Sequence, residues 1–394
     1  MANFLVACDK CKGSLSAFEI CSLAKSVLQK RFPSSCVTEV PLTDGGEGFT
    51  DILTEEADGR LQSLEVCDSI GNHSEVQIGI CEIANLPPAV VQALNIPPSG
   101  KLAIVEMAQA AGLADLASHQ RNPWNTSTYG VGQMLGQAAQ LGVDAILLGI
   151  GGSSTNDIGL GALHALGLSI RNDKQEEISF PCPSTWKNIR NLNQEHLSNL
   201  PPIRIACDVE NQLLGEFGAT AQYGPQKGLP KEEIGLFESE IKSLLKLLEL
   251  QESKTFDLAK VNGTGAAGGM GFGLSLFYDV SLVQGFELIS SWFEIEHKIK
   301  QADFVITAEG RFDQTSMDGK GPYQIIKTSQ RHSTASLVIA GSIDQQVVAK
   351  ASQNFPDCSF VSFGRSDWPI EKNLSSAREN FVTTLEEFSF PPLI

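Results

Sequence analysis

The sequence predicts an α/β protein of two domains, one a Rossmann-like parallel sheet with helices on both faces, the other a smaller inserted α/β lobe. Three observations carry that reading. Short apolar runs recur, each ending in a Gly-rich or charged turn and followed by apolar residues at helical spacing. A chain of 394 residues exceeds what one ordinary core organises. With 42% apolar and 19% charged residues, the composition is that of a packed globular chain rather than a disordered or fibrous one.

The first strand is Phe4-Leu5-Val6-Ala7-Cys8, a buried apolar run ending at Asp9. A helix follows, opened by a capping box of Ser16 and Glu19, carried by Ile20, Leu23, Ala24, Val27 and Leu28, and stopped at Phe32-Pro33. The loop Asp9-Lys10-Cys11-Lys12-Gly13-Ser14 therefore sits at a strand's C-terminal end, where open α/β sheets bind ligands. The same grammar returns at 145–150, followed by Gly151-Gly152-Ser153-Ser154-Thr155-Asn156-Asp157. It returns again at 304–307 before Glu309-Gly310-Arg311-Phe312-Asp313, and at 336–340 before Gly341-Ser342. Residues 61–107 read as several short strands and 171–202 as an irregular connection. The expected division is 1–60 with 120–170 and 285–394 in the Rossmann-like domain, and 61–119 with 171–284 in the second, with the active site in the cleft.

Charge narrows the partners. With 29 Lys plus Arg against 46 Asp plus Glu, the net charge of −17 repels nucleic acid and anionic membranes. A small-molecule substrate is the expected partner, for a monomer or homodimer. Any phosphate site must gather its own cations and backbone N–H groups, so Lys and Arg beside Gly-rich turns become informative. The nine Cys are odd in number and scattered, which fits reduced thiols in a cytoplasmic protein. No signal peptide is evident at the N-terminus, and no run of 18 uncharged apolar residues occurs.

Five segments could carry chemistry, and each has a plainer alternative. The Gly149–Asp157 stretch joins a strand to a helix start, where glycines and free N–H groups favour a phosphate; it is also an ordinary tight turn with an N-cap. It is neither a Walker A sequence nor a G-x-G-x-x-G fingerprint. Asp44-Gly45-Gly46-Glu47-Gly48 offers two carboxylates for Mg²⁺, or a turn with solvated acids and a helix cap at Asp44. Glu309-Gly310-Arg311-Phe312-Asp313, with Asp318-Gly319-Lys320-Gly321-Pro322 beyond, places two scarce cations next to Gly, ready to grip a carboxylate or phosphate, or simply a surface ion pair. Asp208 ends an apolar run, and Lys227 lies between Pro and Gly turns. Residues 263–273 are Gly-rich and suit a close backbone contact, a second phosphate cradle or a hinge. Two other readings are weak: Cys8-x-x-Cys11 as a redox dithiol, and the six His residues, which lack metal-ligand spacing.

In order along residues 5 to about 340, these segments resemble the glycerate kinase family. The matching stretches are Cys8 through Ala17, Asp44 through Gly48, Val105-Glu106-Met107-Ala108, Gly149 through Asp157, Ala206-Cys207-Asp208-Val209, Gly224 through Gly228, Gly265 through Gly269, and Glu309-Gly310-Arg311. The sequence departs from the family pattern at Lys10, where Ser is usual, at Cys11 for an aromatic, and at Ile158 and Ala308 for Gly. The resemblance implies a two-domain fold unrelated to P-loop kinases and ATP-dependent phosphorylation of D-glycerate with Mg²⁺, more often to 2- than to 3-phosphoglycerate. On that reading Lys12 and Lys320 meet the transferred phosphate and Arg311 grips the glycerate carboxylate, with Asp9, Glu309 and Lys227 also at the substrate. Gly151, Gly152, Ser153, Thr155, Asn156 and Asp157 take the nucleotide phosphates, Asp208 or Asp313 orients or deprotonates the hydroxyl, and Asp44 or Glu47 lies near the metal. The rival expectations are a non-catalytic hydroxy-acid sensor on the same fold and a metal-dependent hydrolase.

Overall fold

The computed structural model describes residues 2–317 and 319–392; Asp318 of the third segment lies outside them. Its strands are β1 (Asn3–Cys8), β2 (Cys36–Pro41), β3 (Arg60–Cys67), β4 (His73–Glu82), β5 (Lys101–Glu106), β6 (Ala145–Gly149), β7 (Ser169–Arg171), β8 (Asn191–Asn193), β9 (Ile203–Ala206), β10 (Val280–Val283), β11 (Phe304–Phe312), β12 (Ala335–Ile343) and β13 (Cys358–Ser362). The chain forms two compact units, Met1–Asp44 with Ile289–Ile394, and Gly45–Leu288. Among the described residues no helix is long and apolar enough to cross a membrane.

The first unit holds a five-stranded sheet in the order β13-β12-β11-β1-β2, with every pairing parallel. Counted within the unit this is the doubly wound order 2-1-3-4-5, and the order reverses between β1 and β11. Alternate residues feed opposite faces, as the pleat requires. On one face Phe4, Val6, Cys8, Ile306, Leu337 and Ile339 pack with Ile20, Ala24 and Leu28 of helix Ala17–Arg31 and with Phe381 and Leu385 of helix Ala377–Glu387. On the other, Val338 and Ala340 pack with Ile326 of helix Gly321–Arg331 and Val347 of helix Gln345–Asn354. Each such buried aliphatic contributes about 1.5–3 kcal/mol relative to exposure, so the strand ends are held firmly. The expected capping box is present: Glu19 N donates to Ser16 Oγ at 3.2 Å and Ser16 N to Glu19 Oε2 at 2.9 Å.

The second unit has a mixed sheet in the order β10-β9-β6-β5-β4-β3. Its β3-β4 and β4-β5 pairings are antiparallel, and the rest are parallel. The short strands expected over 61–107 correspond to β3, β4 and β5, while 171–202, read as irregular, contributes β8, which pairs antiparallel with β7 just before it. The division of the chain differs from the expected one. Residues 45–60 and 120–170 belong to the inserted unit, because β6 pairs with β5 on one side and β9 on the other and helix Tyr129–Gln140 packs into the same core. The inserted unit is thus the longer one, and the second crossing falls after Leu288 rather than at 285. A strand followed by a Gly-rich turn reads alike in either sheet, so only pairing partners decide the assignment.

Candidate active site

Within the first unit a cavity of about 870 Å³ opens at the C-terminal ends of β1 and β11, at the reversal of strand order where open α/β sheets bind ligands. Asp9, Lys12, Asp44, Glu309, Arg311, Asp313 and Lys320 all line it. Each comes from the segment that sequence reasoning singled out, and the fold explains their convergence. The loop after β1 is pinned by Asp9 N donating to Ala308 O (2.9 Å) and by reciprocal bonds between Cys11 and Leu15, leaving Lys12 exposed at its tip beside Gly13, whose φ of +76° suits glycine.

The buried floor is acidic. Glu309 is buried, its Oε2 accepts from Ser316 Oγ at 3.0 Å, and its Oε1 finds no protein donor. Burial pushes its carboxyl up to about 7, against the pull of Ser316 and Lys320. Asp9 is likewise raised to about 6 by burial, opposed by Lys10. Lys10 is itself buried, with Nζ 2.9 Å from Asp44 Oδ1 and 3.8 Å from Asp9 Oδ1. The rim is cationic. Arg311 is well exposed and its Nε meets Asp313 Oδ2 at 3.0 Å, while Lys320 Nζ donates to Thr315 Oγ1 at 2.9 Å. Asp313 Oδ1 accepts from Thr315 Oγ1 (2.7 Å) and Thr315 N (2.9 Å), which with Arg311 holds its carboxyl below the usual range. A carboxylate so stabilised is a weak proton acceptor, whereas burial keeps Glu309 the more basic of the two. Sequence reasoning could not see this, because Glu-Gly-Arg gives no sign that the Glu is buried and the Asp is not.

The other segments lie in the second unit. In the 149–157 turn most polar groups bond within the protein, while Thr155 Oγ1 and Asn156 Oδ1 are buried with no partner among the described residues. Asp157 is wholly buried and accepts from Thr128 N (2.8 Å), Thr128 Oγ1 (2.8 Å), Gly161 N (3.1 Å) and Gly159 N (3.2 Å). The anion at the start of helix Leu160–Ala165 is therefore the chain's own carboxylate, although the N-cap residue itself is Gly159, and Asp157 is spent on these internal bonds rather than left free for a phosphate. Gly151 N donates to Gly45 O, and Leu113 N to Gly152 O. Asn156 Nδ2 donates to Thr220 Oγ1 (3.0 Å), and Thr155 is buried. Lys227, expected at the substrate, is buried with Nζ on Ser153 Oγ (2.9 Å) and Thr155 O (2.6 Å), and burial lowers it to about 7. It braces this turn. The Gly-rich 263–273 segment proves to be a close backbone contact: a Cβ at Gly268 would come 2.3 Å from Thr155 O, and one at Gly273 2.3 Å from Ile158 O. Asp208 is exposed and accepts from Phe286 N at 3.2 Å, and Glu47 is exposed in the Gly45–Gly48 turn.

Lys10, Ser14 and Ser316 are site residues without an assigned role at the sequence level; Lys10 was visible only as a departure from the family pattern. The dithiol reading loses its basis, since burial pushes Cys11 up to about 12 and Cys8 well above the ordinary thiol value, leaving neither as a ready thiolate.

A cationic rim over buried carboxylates, at the reversal point of a doubly wound sheet, is equipment for moving a phosphoryl group, and its relatives place the chain in that class: it is a kinase, a phosphotransferase. Residues 4–389 match the glycerate kinase family, and the chain belongs to that family. It is 33% identical to the glycerate kinase of Halalkalibacterium halodurans over 353 residues, covering 88% of this chain and 87% of that one. It is 32% identical to the glycerate 2-kinase of Escherichia coli K12 over 395 residues, covering 97% and 98%. A crystal structure of a protein assigned as glycerate kinase 2 from Salmonella typhimurium LT2 superposes with a TM-score of 0.74 at 30% identity, covering 98% of this chain and 96% of that one.

Proposed function

We propose that the chain transfers the γ-phosphoryl group of ATP to a hydroxyl of D-glycerate, with Mg²⁺, giving 2-phosphoglycerate. One observation carries the assignment: cations and carboxylates from three separate chain segments converge on the cavity at the ends of β1 and β11. Arg311 presents a planar fork next to Gly310, suited to the carboxylate of a small acid. Lys12 and Lys320 neutralise the phosphates, and Glu309, poised near neutral pH with one oxygen unpartnered, takes the hydroxyl proton. Thr315 links Asp313 to Lys320, so Asp313 orients the rim rather than accepting the proton.

Among the described residues no three acids are grouped to hold a metal by themselves, and Lys10 Nζ stands 2.9 Å from Asp44 and 3.8 Å from Asp9, so Mg²⁺ would enter with the phosphates, which leave it needing only one or two carboxylates. Asp44, with Asp9, would hold it; the ion would spread the phosphate charge. Glu47, the other residue expected near the metal, belongs to the second unit and is not needed for this set. The kinase works where it folds, in the cytoplasm. Incubation with ATP, Mg²⁺ and D-glycerate, with ADP release followed enzymatically and the product by ³¹P NMR, tests the proposal. The expected result is one ADP per 2-phosphoglycerate; inorganic phosphate without phosphorylated glycerate would replace this reading with hydrolysis.

A further inference from the structure

The cavity is much larger than a three-carbon acid requires, and its volume of about 870 Å³ lies in the range of roughly 300–1,000 Å³ that holds a larger organic ligand. Its two ends differ in chemistry. One is the cationic and acidic end just described. The other, past the ends of β12 and β13, is lined by Phe363, Trp368, Ile370 and Leu374, with Arg365 beside them. Between them runs a shelf without side chains. A Cβ at Gly341 would lie 2.6 Å from Gly310 O, and one at Gly364 would lie 2.0 Å from Gly341 O, so the ends of three neighbouring strands abut through bare backbone. Trp368 is held in place rather than packed away: Asn373 Nδ2 donates to Trp368 O (3.2 Å) and to Arg365 O (2.9 Å), and the indole is only partly buried. The Arg365 guanidinium lies 4.8 Å over its ring and Lys372 Nζ 3.7 Å, so the indole is an accessible π face that already holds two cations.

We infer that the apolar end around Trp368 is the purine site of the nucleotide, with the base against the indole, the ribose over the Gly310-Gly341-Gly364 shelf and the phosphates directed at Lys12 and Lys320. This rests on the phosphotransfer reading and replaces the 149–157 turn as the nucleotide-binding element. The direction follows from polarity alone, because a nucleotide is apolar and flat at one end and polyanionic at the other. Gly341 and Gly364 are required by the close approach of neighbouring backbone, and they leave main chain, not side chains, lining the cavity at those positions. On binding, the base takes over the ring contact that Arg365 holds, freeing that guanidinium to turn along the cavity wall.

The test is calorimetry of wild-type protein and of Trp368→Ala and Trp368→Phe with two probes, ADP and inorganic triphosphate. Loss of base stacking should weaken ADP about 10-fold in Trp368→Ala, with Trp368→Phe recovering most of it, while triphosphate affinity and the KM for D-glycerate stay within about 2-fold. Unchanged ADP affinity in a folded Trp368→Ala protein, or equal weakening of ADP and triphosphate, overturns the assignment. Absence of glycerate-dependent ADP release in the wild type is a separate result that sinks the phosphotransfer reading, so the two failures are told apart.

Discussion

Two turns in this protein share one grammar and do different work. At 149–157 and at 309–320 a buried strand runs into glycine, polar residues and a helix start. In the first turn most polar groups are engaged internally: Asp157 takes four hydrogen bonds and Lys227 is buried against Ser153 and Thr155, although Thr155 Oγ1 and Asn156 Oδ1 find no partner among the described residues. In the second, Glu309 keeps an unpartnered oxygen and Arg311 and Lys320 stand at a cavity. Glycines and polar side chains at a strand end therefore do not identify a ligand site; charged groups left standing at a cavity do.

The sharpest way to break this contrast is Asp157→Ala. Removing the carboxylate strands four donors in the interior, and the cost should be about 3–5 kcal/mol of stability, read from urea denaturation. Any folded fraction should keep a normal KM for ATP; a stable protein with weakened ATP binding would return the turn to the nucleotide.

Lys12→Ala should do the opposite, cutting kcat/KM by about 10²-fold or more with little change in melting temperature, since the side chain is exposed. Near-normal turnover would remove Lys12 from the chemistry.

Glu309→Gln sharpens the comparison through pH. The buried carboxyl titrates at about 7 instead of its ordinary 4.5, so the folded state binds more protons than the unfolded chain between those values. Stability attributable to this group therefore falls as pH rises from about 4.5 to 7. The variant should gain up to about 3 kcal/mol at pH 8 and nothing at pH 4, while losing turnover. Equal stability at both pH values would show that Glu309 carries no burial cost.

A smaller effect is expected at Ile158, a β-branched residue at φ +53° whose side chain is nonetheless buried. Both Ile158→Ala and Ile158→Gly lose that packing, yet the glycine variant escapes the left-handed strain. It should be the more stable of the two by about 1 kcal/mol, the reverse of the usual order, in thermal melts.

Much of the first unit was legible from sequence. Its central strands β1, β11 and β12 carry continuous apolar runs because both faces are covered, and its helix at 17–31 announces itself by a capping box. The site segments were legible too, because scarce cations stand out in an acidic chain. The division into units was not: β6 could have joined either sheet, and nothing local to Ala145–Gly149 records that its partners are β5 and β9. Nor were the roles of Asp157 and Glu309, two acids beside glycine whose surroundings come from residues as distant as Thr128 and Asp9. The region around Trp368 carried no signal, since its meaning depends on the strand ends it adjoins.

The most direct measurement is the steady-state KM for D-glycerate and for ATP in Arg311→Lys. A point charge cannot reproduce a bidentate grip, so the glycerate KM should rise by roughly 10- to 100-fold, equivalent to about 1.5–3 kcal/mol, while the ATP value stays near that of the wild type. If neither constant moves, the 3.0 Å contact with Asp313 is a surface ion pair and the cavity at the ends of β1 and β11 is not where glycerate binds.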